Sequence, residues 1–267
     1  MDLLHWAANG KAAQSGGWEH ATILHLHIAR LILLTPTRHL ATLIPPVSGA
    51  AEGVGTDEYA RTATARQAIT QWAIRDRFKA RLAVIHAGAL FWHVRRYSAD
   101  CVVEPYGIYM ATLVVWGYSV TMRSVGSRDR DRDQAEGEER ACSEDTSRNL
   151  QESPGTAQDG ASPTLDDSDS EPMFIRLDRP CDDEMVQTFM RIGDKMTGYM
   201  LRIGNICGKK APERILSEGI RLLVGADGLG NPETLASDQV EDDNDTWGIE
   251  RTYAESLRRL LYATNCG

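Results

Sequence analysis

Histidines are the residues of this sequence whose type and spacing could most readily do chemistry, and all seven precede residue 94. His86 and His93 stand seven residues apart, which places them on one helical face, two turns from each other. Such an imidazole acts as a general acid or base when a carboxylate or a nucleophile lies beside it. The sequence alone does not supply that partner, so we expect structural histidines, with an active site at His86 and His93 as the alternative.

Metal ligation is the second chemistry considered. His25 and His27 form an H-x-H, but on a helix a spacing of two residues points the side chains about 200° apart. The further candidate ligand, His20, lies five residues before His25. The five cysteines have no short spacing, which is typical of reduced thiols in a reducing compartment: Cys101, Cys142, Cys181, Cys207 and Cys266. We therefore expect no metal site.

Carboxylates and glycines offer weaker signals. The acidic triplet Asp182, Asp183 and Glu184 could form a pair of acid–base carboxylates, but at a helix N-terminus its ordinary role is capping and compensation of the helix dipole. Gly-x-Gly occurs at 53–55 and at 228–230, in each case without a preceding strand or a third glycine, so neither predicts a phosphate-binding loop. We expect no catalytic, cofactor-binding or metal-binding residue in this chain, and no enzyme.

The elements that would position these residues are predicted to be helices. Apolar side chains recur every three or four residues in several stretches, which predicts helices that bury one face or more. These stretches are 18–34, 56–97 (continuous, or broken near 75–79), 104–120, 182–203, 212–224 and 249–261. Pro36 follows the first and Pro212 opens another, as helix boundaries favour. No run of alternating residues predicts strands, so the predicted fold class is all-α, an irregular helical domain.

Charge divides the chain. Of the 267 residues, the 49 from Arg123 to Glu171 contain 14 acidic and 6 basic side chains, whereas the remaining 218 contain 24 acidic and 23 basic. The same 49 residues have only four apolar side chains other than alanine, too few to offset chain entropy. We predict a helical domain in two parts, 15–122 and 172–264, separated by a long disordered acidic insert at 123–171.

The insert has two possible roles. We interpret the insert as a solvated spacer. The alternative is a transcriptional activation segment, although the insert lacks the Trp and Phe side chains that would supply its hydrophobic part. Two Ser-Pro pairs, at 153–154 and 162–163, are possible phosphorylation points. The near-neutral remainder is a poor non-specific binder of DNA, because that affinity comes from neutralising phosphates.

Membrane insertion and secretion are not indicated. No apolar stretch reaches the roughly 18 residues of a membrane span, and the first residues do not resemble a secretory signal. The basic residues at 75–81 alternate between opposite faces of a helix, so they do not form one basic surface for binding nucleic acid. We expect an intracellular protein with no membrane contact.

Several stretches together resemble a known family. The sequences ARLAVIHAGALFWHVRRY and EPYGIYMATLVVWGYSV, followed later by IRLDRPCDDEMVQTFMRIGDKM, PERILSEGIRLL and WGIERTYAESLRRLL, resemble the fungal-specific transcription factor domain. WEHATILHLHIARLILLTP is similar to an earlier helix of that domain. The likeness covers most of the chain except the acidic insert and corresponds to the C-terminal part of the domain. It is strongest for filamentous-fungal regulators that carry a pair of two-cysteine, two-histidine zinc fingers.

The resemblance implies a function. Such a domain is a helical regulatory region in the nucleus that controls RNA polymerase II transcription through intramolecular and protein–protein contacts. Its partners would be transcriptional co-regulator proteins, with a small-molecule effector possible. Relatives bind DNA and zinc through an upstream module, and this chain has no cysteines at finger spacing, so no zinc-binding or DNA-contacting residue carries over.

Two alternatives stay open beside this hypothesis. One is a helical small-molecule enzyme that uses His86 and His93. The other is an interactor without fingers that sequesters co-regulators. The residues predicted to hold the core together are Trp72, His86, Trp92, Trp116, Met185, Phe189 and Trp247.

Overall fold

The structure is a computed structural model that describes residues 21–47, 56–98, 101–144, 173–181, 183–225 and 248–266, with the backbone alone at 128–144. Within these ranges the chain forms eight helices: α1 (Ala21–Leu34), α2 (Thr37–Thr42), α3 (Thr56–Ile74), α4 (Arg77–Tyr97), α5 (Glu104–Glu144), α6 (Asp183–Ile192), α7 (Ala211–Val224) and α8 (Ile249–Cys266). Three short strands accompany them: β1 (Met173–Arg176), β2 (Met196–Met200) and β3 (Gly204–Asn205). The fold class is all-α with one small sheet, which confirms the predicted class.

Helix boundaries follow local chemistry. Asp57 and Glu58 lie in the first turn of α3, where negative charge meets the positive end of the helix dipole. Pro212 lies in the first turn of α7, and Gly225 ends that helix with a φ of +76°. The stretch from 56 to 97, left open as one helix or two, is broken between Ile74 and Arg77.

The small sheet corrects the sequence prediction. A helix was predicted over 182–203, but α6 ends at Ile192 and Met196–Met200 forms β2. β2 pairs in parallel with β1 and antiparallel with β3. Met196 and Met200 are four residues apart, and a spacing of four satisfies both helical periodicity and strand alternation. In β2 they face inward together with Gly198, while Tyr199 points outward.

The end of α6 has a physical cause outside its own sequence. Arg81 of α4 donates hydrogen bonds to the carbonyl oxygens of Met190 (2.9 Å) and Arg191 (3.5 Å), which a helix C-terminus leaves without intrahelical partners. Gly193 follows directly, and a Cβ there would lie 2.6 Å from Nε of Arg81. The helix therefore stops where the guanidinium of another helix occupies its end.

A single hydrophobic cluster joins both parts of the chain. Its fully buried members include Leu31, Leu90, Phe91, Leu113, Ile175, Phe189, Leu216 and Leu257. Of the predicted core residues, Trp72, His86, Trp116 and Phe189 are buried, Trp92 and Met185 are half-buried, and Trp247 lies outside the described residues. The indole Nε1 of Trp72 donates to the carbonyl oxygen of Leu34 at 2.8 Å, which ties the end of α1 to α3.

The acidic insert is described in part. The backbone of α5 continues through the first residues of the insert to Glu144, so this helix spans 41 residues. Residues 145–171, with both Ser-Pro pairs, lie outside the described residues. Among the helices that the structure describes, none is long and apolar enough to cross a membrane.

Candidate functional site

The two candidate catalytic histidines occupy separate places along α4. His86 faces α1, where its Nδ1 lies 2.9 Å from Nδ1 of His27 and its Nε2 lies 3.2 Å from a terminal nitrogen of Arg30. A guanidinium only donates hydrogen bonds, so Nε2 of His86 is the acceptor and its proton resides on Nδ1, which donates to His27. Both ring nitrogens of His86 are thus engaged within the core.

His93 lies about 10.5 Å further along the same helix, given seven residues at the α-helical rise. Its ring is buried and meets the ring of Tyr97 edge-on, with centroids 5.7 Å apart. The structure therefore does not combine His86 and His93 in one site. His25 is exposed whereas His27 is buried, as opposite helical directions require. Within the described ranges, no group of three or more potential ligands could hold a metal ion.

A buried network of charges lies where α4, β1 and α7 meet. Nη1 of Arg95 donates to Oδ2 of Asp178 at 2.5 Å, and its Nη2 donates to Oε1 of Glu218 at 2.8 Å. Asp178 also accepts from Nε of Arg176 (2.7 Å) and from the backbone N–H of Leu201 (2.6 Å). Asp178 and Glu218 are only 5% and 4% exposed, so every one of these contacts forms in a largely dehydrated environment.

Glu218 is held as an anion by two arginines. Burial alone would raise the pKa of Glu218, but hydrogen bonds from Arg221 and the charge of Arg95 outweigh it and lower the pKa below the ordinary value. Arg221 donates to both carboxylate oxygens at 2.8 Å. With each carboxylate already paired, the network is suited to hold elements together rather than to move protons.

A second ionic contact ties α4 to the end of α6. Oδ1 of Asp194 accepts from Nη2 of Arg81 at 2.5 Å, and its Oδ2 accepts from Nη1 of Arg77 at 3.2 Å. Arg81 is only 1% exposed, while Asp194 stays about half exposed at the surface. Arg77 and Arg81 are four residues apart, so they share one helical face and bind the same carboxylate.

Backbone contact at two glycines completes this junction. A Cβ at Gly88 of α4 would overlap the carbonyl group of Leu177, the residue that follows β1. A Cβ at Gly219 of α7 would overlap the side chain of Thr112 in α5. Glycine is therefore required at both points for the second part of the chain to reach α4 and α5.

A cavity of about 220 Å³ opens beside Asp194, between α5, α6 and the sheet. Its walls combine polar and apolar side chains, from Tyr118, Met122, Phe189, Asp194, Met196, Thr197, Asn205, Ile206 and Cys207, with Gly193 and Gly198. Burial, with the neighbouring Cys207, raises the pKa of Tyr118 to about 12, so this phenol is protonated at neutral pH.

Sequence reasoning missed the charged network and the cavity. Arg95 and Asp178 are 83 residues apart, and Arg95 and Glu218 are 123 apart, so no local pattern pairs them. One signal was available: Glu218 lies three residues after Ile215, on the same apolar face of α7, where an unpaired charge would be costly.

Comparison of this chain with protein-family models, with curated proteins and with solved structures finds no significant match.

Proposed function

We propose that this chain is a regulatory domain of the fungal zinc-finger transcription factor type, which acts in the nucleus through intramolecular and protein–protein contacts and not as an enzyme. The observation that carries the proposal is the buried network of Arg95, Asp178 and Glu218. These three residues come from three of the stretches on which the family resemblance rests, namely 80–97, 175–196 and 212–223. Segments that are far apart in sequence thus supply one interlocking contact, as parts of one domain would.

In this proposal the domain acts through surfaces that bind other proteins. Co-regulator proteins are the partners, and DNA is reached only through a zinc module outside this sequence. One exposed apolar surface is available for a protein contact on the outer side of the sheet. There Phe174 and Tyr199 meet edge-on with centroids 5.9 Å apart, and Leu201, two residues after Tyr199, is also exposed. Aromatic side chains of this kind are enriched at protein interfaces.

The alternative of an enzyme at His86 and His93 gains no support. His86 uses both ring nitrogens on His27 and Arg30, so neither is oriented toward a substrate. The paired carboxylates of Asp178 and Glu218 lie in the charged network, far from the His27 contact along α4.

A tethering experiment tests the regulatory role. The full 267-residue chain is fused to a heterologous DNA-binding domain, and transcription of a reporter that carries its site is measured in a fungal host. We expect reporter output to differ at least severalfold from that of the DNA-binding domain alone. Replacing Phe174 with Asp should abolish the difference, whereas replacing Tyr59 of α3, which is exposed as well, with Asp should leave it intact.

Equal output from the fusion and from the DNA-binding domain alone would contradict the proposal. The 5′ end of the native transcript then separates the two protein-binding hypotheses. Finger-spaced cysteines and histidines in frame upstream of Met1 support a DNA-binding regulator. A native start at Met1 supports an interactor that sequesters co-regulators without touching DNA.

A further inference from the structure

The cavity beside the sheet has the size of a small metabolite. Its volume of about 220 Å³ lies below the range of about 300–1,000 Å³ typical of sites for drug-sized ligands. Asp194 and Cys207 stand at its exposed rim, while Tyr118 and Phe189 are buried at its base. A ligand of roughly eight non-hydrogen atoms is therefore the appropriate scale.

The buried end of the cavity offers a hydrogen-bond donor. The guanidinium of Arg81, which binds the carboxylate of Asp194 at the cavity, lies near the phenol of Tyr118. A phenol O–H can donate its proton or accept one, and a neighbouring positive charge favours donation. Tyr118 is only 4% exposed and lines the cavity, so an acceptor atom inside the cavity can receive that proton.

The sheet side of the cavity adds one further neutral donor. Oδ1 of Asn205 accepts from the backbone N–H of Cys207 at 2.8 Å, which fixes the amide orientation and leaves its NH₂ group as a donor. The cavity therefore favours a ligand with an acceptor atom, such as a carbonyl oxygen.

Charge argues for an uncharged ligand. Asp194 is the charged residue among those that line the cavity, and its two carboxylate oxygens already bind Arg77 and Arg81. An anion would approach the carboxylate of Asp194, and a cation would have to compete with two arginines for it. The remaining walls, formed by Met122, Phe189, Met196 and Ile206, suit an aliphatic body.

We infer that this cavity binds a small, uncharged aliphatic molecule that carries a carbonyl group, with the carbonyl oxygen accepting from Tyr118 and the aliphatic body packed on the methionines and Phe189. Binding itself stands on the cavity alone. The role of such a molecule as an effector of transcription rests on the proposed function.

Three probes with one aliphatic body test the head-group preference: 4-methylpentanamide, 4-methylpentanoate and 4-methylpentylammonium. Each is titrated into the full-length ¹⁵N-labelled chain at neutral pH, and amide shifts of Gly198 and Cys207 are followed. We expect the amide to bind with a Kd on the order of 1 mM. The carboxylate and the ammonium should each bind at least about fivefold more weakly.

Paired tyrosine variants locate the carbonyl contact. Tyr118→Phe removes one hydrogen-bond donor and keeps the ring, so the amide should bind about fivefold more weakly. Tyr109→Phe is the matched control, because Tyr109 lies on the same helix and burial likewise raises its pKa to about 12. Its ring does not line the cavity but stacks on the ring of Tyr253, with the two centroids 4.5 Å apart. Tyr109→Phe should leave the Kd unchanged.

Several outcomes would overturn the inference. They are absence of amide shifts up to about 10 mM probe, tighter binding of either charged probe, and equal Kd values for the Tyr118 and Tyr109 variants when thermal melts report both as folded. The reporter assay separates the two proposals. If the fusion changes reporter output but the amide does not bind, the ligand site is contradicted and the regulatory role is supported. If the amide binds but reporter output does not change, the regulatory role is contradicted and the ligand site is supported.

Discussion

The two sides of the acidic insert are built in contrasting ways. Before it, α1 to α5 are all helices, and their buried contacts are dominated by leucine, alanine, valine and aromatic side chains. After it, the segment from β1 to α7 contains the sheet and meets α4 through ion pairs. In those pairs α4 supplies the cations, Arg77, Arg81 and Arg95, and the later segment supplies the anions: Asp178, Asp194 and Glu218.

This difference separates two tasks. Apolar contacts are non-directional and provide most of the driving force for folding. Buried ion pairs add little net stability compared with apolar residues of similar volume, but loss of one partner is costly because the other charge stays buried. The first side therefore supplies a stable helical body. The ion pairs define where and in which register the second side attaches to it.

The largest effect is expected in the shared core, where the two sides should behave alike. Trp116→Ala on α5 and Phe189→Ala on α6 each remove a buried aromatic side chain. Each should lower the free energy of unfolding by about 3–5 kcal/mol. Urea denaturation measures the midpoint and the slope. Unchanged midpoints would contradict the assignment of these residues to the core, and two separate transitions would mean that the sides do not unfold together.

The second-largest loss of stability is expected when a buried anion is removed, and this loss should distinguish the second side, which attaches through ion pairs, from the first. Asp178→Ala leaves Arg95 and the N–H of Leu201 without this acceptor. We expect a loss of about 3 kcal/mol. Asp183→Ala is the matched control, since Asp183 is exposed in the first turn of α6 and should cost about 0.3–1 kcal/mol. Equal losses for the two variants would show that the network has no special role.

A smaller effect is expected at the backbone contact of Gly88. Gly88→Ala places a Cβ against the carbonyl of Leu177 and should cost about 1–3 kcal/mol by overpacking. Gly126→Ala is the control, because no heavy atom lies within 4 Å of a Cβ at that position of α5. That substitution should stabilise the helix by about 0.5–1 kcal/mol. Thermal melts of both variants compare the two glycines, and a neutral Gly88→Ala would disprove the close approach.

The smallest effect is a pH dependence on the second side. The folded chain lowers the pKa of Glu218 below 4.5, so its contribution to stability is present above that pH and is lost as the pH falls through the folded value. Urea midpoints measured between about pH 6 and pH 3 should therefore fall at the acid end. Glu218→Gln should reduce that decline. An identical acid dependence in the variant would assign it to other carboxylates.

The helices could be predicted from sequence because periodicity is a local property. The spacing that predicted helices at the start of α5 and at α6 also identified Trp116 and Phe189 as core, and both are buried. The strands could not, since Met196 and Met200 fit either period and Arg81, more than 100 residues away, decides where α6 ends.

The candidate sites depended even more on distant contacts. The partners of His86 come from α1, 56 and 59 residues earlier, and the cavity is formed by α5, α6 and the sheet together. Periodicity reports which face of an element is apolar, and it contains no information on which charged side chain lies opposite.

The parallel pairing of β1 with β2 has a consequence for the order of folding. Met173 pairs with Met196, so β1, α6 and β2 close a local unit. Its attachment to α4 through Asp178 and Asp194 requires contacts across 83 and 113 residues, whose loop-closure cost is larger. We therefore expect these ion pairs to form after the rate-limiting step. Loss of Asp178 should leave the refolding rate nearly unchanged and accelerate unfolding, a pattern that stopped-flow chevron plots would reveal or refute.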